Sequence, residues 1–91
     1  MIRSIRSKAL RLFSEKGDPS KLPVKEHAKV VRQLAALEAA AKPEDMNIPG
    51  YKFHGLQGEP KRWAVWVTKN YRLTFGWDDQ DAIDVDLEDY H

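Results

Sequence analysis

The chain closes on Glu88-Asp89-Tyr90-His91, which sets carboxylates, a phenol and an imidazole side by side. His54 and Arg72 stand upstream in stretches that alternate apolar and polar residues. Imidazole exchanges protons near neutrality because its ordinary pKa is about 6.5, and a guanidinium matches two phosphate oxygens at once. The sequence has no cysteine, no metal-ligand spacing and no Ser/His/Asp arrangement. A thiol nucleophile, a Cys-based zinc site and a disulfide framework are thereby set aside. What remains suits phosphodiester chemistry on RNA, whose ribose 2′-hydroxyl is a built-in nucleophile. Such a catalyst must take that proton, hold the charge growing on phosphorus and protonate the leaving 5′ oxygen. Trp66 and Tyr90 offer faces for unstacked bases, worth ~1 to 3 kcal/mol each. With His91 as the last residue, its own α-carboxylate is expected to favour the protonated ring, which suits a general acid.

These groups need a scaffold, and 91 residues suit one domain spanning 1–91. A hydrophobic content of 42%, with three Trp, three Tyr and three Phe, is enough for a small core without metal or disulfide. No apolar run approaches the ~18 residues of a membrane span. The basic segment Met1 to Phe13 has the look of a presequence, but its removal would strip the core, so a cytoplasmic protein without membrane contact is expected. The net charge of +1 hides a gradient: residues 1–33 hold nine Lys/Arg against three acids, whereas residues 76–91 hold seven acids and no base. A basic first part can meet a polyanion. The acidic end must then face away from it or be neutralised by neighbouring bases.

Ile2 to Ile5 reads as a short first strand. Ala9, Leu10, Leu12 and Phe13 then give a helical stripe over Lys8 to Glu15, ended by Gly17-Asp18-Pro19-Ser20. A second helix is expected from Pro23, with Val24, Ala28, Val31 and Ala35 repeating beside Val30, Leu34 and Leu37, and with Lys25, Lys29, Arg32 and Gln33 on the opposite face. Tyr51 to His54 alternates as a strand that turns Tyr51 and Phe53 inward and puts Lys52 and His54 on the other face. Trp63 to Trp77 forms two strands broken at Lys69-Asn70. A two-residue loop would pair Trp66 with Leu73; a loop one residue longer buries Trp63, Val65 and Val67 and sends Trp66 to Arg72's face. The longer loop is preferred because Lys-Asn matches a two-residue primed turn poorly. Asp78 to Asp81 is the next turn, and Ile83, Val85 and Leu87 form the buried side of a last strand. Arg72 then faces Asp86 or Glu88, either in an exposed ion pair or with its direction fixed by the carboxylate. The fold class is α+β: an N-terminal strand and two helices packed on one face of a mainly antiparallel sheet of four to five strands. The polar face offers Lys52, His54, Arg72, Thr74 and the tail to solvent.

Several segments together resemble the HigB toxins of the RelE superfamily, from type II toxin–antitoxin systems. They are the opening Met-Ile-Arg-Ser, the stretch Pro43 to Tyr51, His54-Gly55-Leu56-Gln57-Gly58, the run Asn70-Tyr71-Arg72-Leu73-Thr74-Phe75 and the closing Asp84 to His91. The resemblance implies a RelE-like domain that enters the ribosomal decoding site and cuts mRNA there, with no cofactor or metal, leaving a 2′,3′-cyclic phosphate and a 5′-hydroxyl. It also implies a HigA-type helix-turn-helix antitoxin, with operator DNA bound only through the toxin–antitoxin complex. By motif position His54, Asp89, Tyr90 and His91 would process mRNA and Arg72 would hold phosphate. Asn70 would support the site beside the basic Lys69. Lys52, Lys61, Arg62 and Trp66 complete the candidate RNA contacts.

The sequence departs from the resemblance at Gln57, where many relatives carry a lysine expected to reach the substrate phosphate. Either Lys61 or Arg62 stands in, or cleavage is slow. An inactive domain that still binds RNA or the ribosome is the alternative, and a plain partner-binding module built on the basic helix is a third. Losing a charge contact in a water-excluded transition state costs ~3 kcal/mol, roughly a hundredfold in rate. The substitution Gln57→Lys is therefore expected to raise mRNA cleavage in a translation extract, and an unchanged or lower rate contradicts a missing phosphate contact.

Overall fold

Two periodicities divide the chain, one helical up to residue 39 and one alternating from residue 54 onward. The computed structural model describes residues 1–90. Helix α1 (Lys8–Lys16) starts where the Ser7 hydroxyl accepts the Leu10 N–H at 3.1 Å. It stops at Gly17, whose φ of 69° is the left-handed conformation glycine adopts without a Cβ penalty. Helix α2 (His27–Ala39) follows, and a short 3₁₀ turn (Pro43–Met46) drops Met46 into the core. Four strands complete the fold: β1 (His54–Gly55), β2 (Arg62–Trp66), β3 (Tyr71–Asp78) and β4 (Asp81–Asp89). They pair antiparallel in the order β1-β2-β3-β4. Ile2 and Ile5 lie parallel to β4 through isolated bridges to Ala82 and Val85, so the expected first strand is an extended edge segment.

Both helices press on one face of the sheet. Leu10, Val30, Leu34 and Leu37 meet Val65, Leu73, Phe75 and Val85 in a shared core. Phe75 is stacked on Trp63 and met edge-on by Trp77, at centroid distances of 6.2 and 6.3 Å. Burial of each such side chain contributes roughly 1.5 to 3 kcal/mol.

Helix α2 departs from the expected pattern in start and in face. It begins at His27, and the Val24-Ala28-Val31-Ala35 stripe is not the buried one: Val31 is 53% exposed. A helix begun at Pro23 would have turned Val24 to solvent with Val31. Val24 instead reaches the core from the irregular segment before the helix. Gln33, expected on the polar face, is fully buried because its Nε2 donates to the Trp66 carbonyl at 2.7 Å.

The sheet carries three further corrections. Lys52 has a φ of 52°, which ends the extended run, so the strand expected over Tyr51 to His54 exists only at His54–Gly55. Tyr51 and Phe53 do pack against the core, and the Tyr51 carbonyl accepts the Trp66 N–H at 2.7 Å. Ile83 is not on the buried side with Val85 and Leu87. The register slips between Thr74 and Gly76, where β4 bulges at Asp84 with a φ of 50°, and Ile83 lands opposite Gly76 on the other face. A Cβ at Gly76 would lie 3.3 Å from Ile83 Cγ1. The bulged residue stays hydrogen-bonded, its N–H to the Ser4 hydroxyl at 2.8 Å and its carbonyl to Arg62 Nη2 at 2.9 Å. Arg72 and Thr74, expected at solvent, are buried, because β3 is a central strand covered on both faces.

The hairpin register follows the longer loop, with Trp66 opposite Arg72 and Trp63 opposite Phe75. Between β3 and β4, Asp79 at a φ of 57° makes the turn, and Arg72 stands across from Glu88. Because Gln33 anchors Trp66 from below, Gln33→Ala is expected to cost about 2 kcal/mol of unfolding free energy, against less than about 0.5 for Val31→Ala. Urea denaturation of both variants checks the order, and a larger loss at Val31 contradicts this placement of α2.

Candidate active site

Register fixes which side chains can meet. Cross-strand partners share a face, so His54, Ala64, Thr74 and Asp86 form one row across the sheet, and Trp66, Arg72 and Glu88 form the next. Tyr90, two residues beyond Glu88, returns to the same face. It is tied there by its N–H, which donates to the Asn70 carbonyl at 2.5 Å. Asn70 thus holds Tyr90 through its backbone.

Arg72 is the centre of this face and is only 9% exposed. Its Cζ lies 3.9 Å from the Trp66 ring centroid and 5.1 Å from that of Tyr90. Its Nη1 donates to the carbonyls of Lys69 at 2.8 Å and Thr68 at 3.0 Å. Covering a guanidinium costs several kcal/mol unless its donors and charge find partners. The loop carbonyls satisfy the donors, and stacking on an indole contributes about 2 kcal/mol when desolvated. The Glu88 carboxylate does not set the direction of Arg72, as the pairing alone suggested; the loop carbonyls do. Planarity lets Nη1 bind the loop while the rest of the fork remains for a ligand.

Lys52 joins this group by contact. Its Nζ sits 4.0 Å from the Trp66 centroid, so one indole carries two cations. His54 is exposed, and its Nδ1 lies 2.9 Å from the Lys52 carbonyl. A carbonyl can only accept, so Nδ1 carries the proton and Nε2 is the atom left to exchange one.

Beneath the outer groups runs a polar chain. Arg62 Nη2 donates to Thr74 Oγ1 at 3.0 Å, and the Thr74 hydroxyl donates to Glu88 Oε2 in a short hydrogen bond. Burial, followed by the nearby Arg6 charge, pulls the Arg62 pKa below its usual value, though the group stays a cation near neutrality. The Tyr90 phenol moves the other way, raised first by desolvation and then by Glu88, with Arg72 and Arg62 opposing. Tyr90 therefore presents a protonated hydroxyl.

The remaining candidates are dispersed. Lys61 lies on the opposite face, where its Nζ donates to the Leu56 carbonyl at 3.0 Å and stands 5.9 Å from the Trp63 ring centroid. Lys69 is exposed in the β2–β3 loop and contributes its carbonyl to Arg72. Gln57 is exposed in the loop before β2. Asp89 pairs with Tyr71, the register position of the face opposite Arg72. His91 lies outside the described residues. Sequence reasoning passed over Thr74 and Glu88 as site residues, although Glu88 and Tyr90 share an alternation that places them together. Among the described residues no three His, Cys, Asp or Glu side chains gather as a metal site.

Comparison with known proteins identifies the family. Residues 3–91 match the family described as RelE-like toxin of type II toxin-antitoxin system HigB. The chain is 35% identical to Endoribonuclease HigB of Proteus vulgaris over 92 residues, covering all of both chains. It is 41% identical over 59 residues to Toxin HigB-1 of Vibrio cholerae serotype O1, 63% of this chain and 62% of that one. With a family match over nearly its whole length and a full-length relative beside it, the chain belongs to the HigB-like, RelE-like toxins of type II toxin–antitoxin systems.

Proposed function

We propose that this toxin is a metal-independent endoribonuclease that cuts mRNA on the ribosome by attack of the ribose 2′-hydroxyl, leaving a 2′,3′-cyclic phosphate and a 5′-hydroxyl. The observation that carries the reading is Arg72, locked between Trp66 and Tyr90 with one edge bound to the β2–β3 loop. A phosphate meets the other edge, and Lys52 on the same indole adds a second positive charge. Preorganised cations of this kind stabilise the charge that develops on phosphorus. Proton transfer draws on His54 at Nε2 and on the Tyr90 hydroxyl as a donor, and motif position adds Asp89 and His91 to the reaction. Because the nucleophile comes with the substrate, proton transfer and charge stabilisation suffice. The full-length relative's name, Endoribonuclease HigB, supports the same class of reaction.

Lys69, Asn70 and Arg62 border or underlie this cleft, and Lys61 would contact RNA only where the strand wraps past the sheet edge. An antitoxin partner follows from the family. We assign it to the HigA type with a helix-turn-helix domain, and place operator DNA in contact with the complex through that partner. No helix among the described residues is long and apolar enough to cross a membrane, and translating ribosomes make the cytoplasm the place of action.

Induced expression tests the reading. Wild-type protein is expected to arrest growth and to yield cut mRNA. Arg72→Ala, and Arg72→Lys, which keeps the charge without the planar fork, are each expected to lower cleavage at least about a hundredfold while folding normally. Arrest without cut mRNA would indicate a ribosome-binding domain, and unimpaired cleavage by both variants would remove Arg72 from the reaction.

A further inference from the structure

Glu88 is the carboxylate that the sheet register delivers to Arg72's face. It stands directly across from Arg72 and two residues before Tyr90, whereas Asp89 takes the position opposite Tyr71. Its placement is built from below. Oε2 accepts from the hydroxyl of the fully buried Thr74, and that same oxygen of Thr74 accepts from Arg62. Oε1 has no such anchor among the described residues. A surface made only to hold phosphate gains nothing from a carboxylate beside its central arginine, since the two anions repel. A carboxylate fixed there by a buried hydroxyl is instead placed for chemistry.

We propose that Glu88 is the general base of the cleavage, a role that rests on the cleft being the RNA-cleaving site. The 2′-hydroxyl proton passes to Glu88 Oε1, and the freed O2′ lone pair forms the bond to phosphorus. The P–O5′ bond breaks, and the departing 5′ oxygen takes a proton from Nε2 of protonated His54. A 2′,3′-cyclic phosphate and a 5′-hydroxyl remain, and the two side chains have exchanged protonation states. Displacement at phosphorus sets the nucleophile and leaving group on opposite sides, which requires base and acid to flank the phosphate. The sheet order supplies this, with Glu88 on β4, His54 on β1, and Arg72 and Trp66 between them on β3 and β2. Three strand spacings are about 14 Å. Two side chains reaching inward shorten that span to one a ribose and its phosphate can fill.

Charged groups face Glu88 from several elements. Arg72 and Arg62 approach it from β3 and β2, and Thr74 hydrogen-bonds it. Asp86, two residues earlier on its own strand, is met by Arg6 at 3.8 Å from the N-terminal segment. Tyr90 completes the surroundings with a phenol that Glu88 helps keep protonated.

The test is single-turnover mRNA cleavage on programmed ribosomes, measured across pH for wild type, Glu88→Gln, Glu88→Asp and Arg72→Ala. Glu88→Gln preserves shape and can still meet Thr74. It is expected to slow cleavage at least about a hundredfold, to leave ribosome affinity and thermal unfolding unchanged, and to abolish the fall in rate toward acid pH. Glu88→Asp keeps the charge but withdraws it, and is expected to be slower than wild type with the acid limb retained. Cleavage by Glu88→Gln within threefold of wild type, or a slowing by the same factor at every pH, overturns the assignment. If Glu88→Gln does not fold, an acid limb missing from Glu88→Asp overturns it equally. Full activity in Arg72→Ala refutes the cleft itself, and so separates failure of the site from failure of the base.

Discussion

The candidate site depends on an arginine that is largely buried on a sheet face. Arg72 can occupy that position because Trp66 lies against it, Tyr90 closes over it and the loop carbonyls of Thr68 and Lys69 take its Nη1 donors. Each support belongs to a different part of the chain. Trp66 is held from below by Gln33 of α2 and at its N–H by Tyr51. Tyr90 is held by Asn70 in the same loop that holds the arginine. The helix, the connector before β1, the β2–β3 loop and the end of β4 therefore all converge on one cation. A free arginine on a surface would bind phosphate weakly and lose side-chain entropy in doing so; this one has already lost it on folding.

The charge gradient along the sequence is largely cancelled within the fold. Arg3 meets Asp78 at 2.6 Å and Asp81 at 3.0 Å, and Arg6 approaches Asp86. The acids of β4 are thus engaged by the N-terminal segment that runs parallel to it. Being largely exposed, these pairs contribute little to stability. They engage several of the acids at the β4 edge, while Lys52 stays exposed on the face that holds Arg72. The basic surface left on the helices is a separate matter from the cleft.

The strands were legible because alternation and loop length are local properties. A three-residue loop follows from the poor fit of Lys-Asn to a tighter turn, and it alone puts Trp66 beside Arg72. What stayed hidden depends on contacts between elements. Gln33 looks like a surface residue in any helical wheel until the Trp66 carbonyl is seen above it. Ile83 counts as buried until the Asp84 bulge shifts the register by one, and that bulge depends on Ser4 and Arg62, distant in sequence. Lys52 leaves the extended conformation at one residue, which shortens β1 and brings its ammonium over the indole. The same limit applies to the carboxylates. Motif position pointed to Asp89, whereas pairing with β3 puts Glu88 on Arg72's face.

The proposed function requires RNA phosphate to be held by Arg72 between Trp66 and Tyr90. The most direct measurement is the structure of the toxin on a ribosome whose mRNA carries 2′-O-methyl groups and so cannot be cut. A backbone phosphate is expected against the outer edge of the Arg72 guanidinium, with a neighbouring base lying on Trp66 or Tyr90. A message held by the basic helical face, with no phosphate near Arg72, would contradict it.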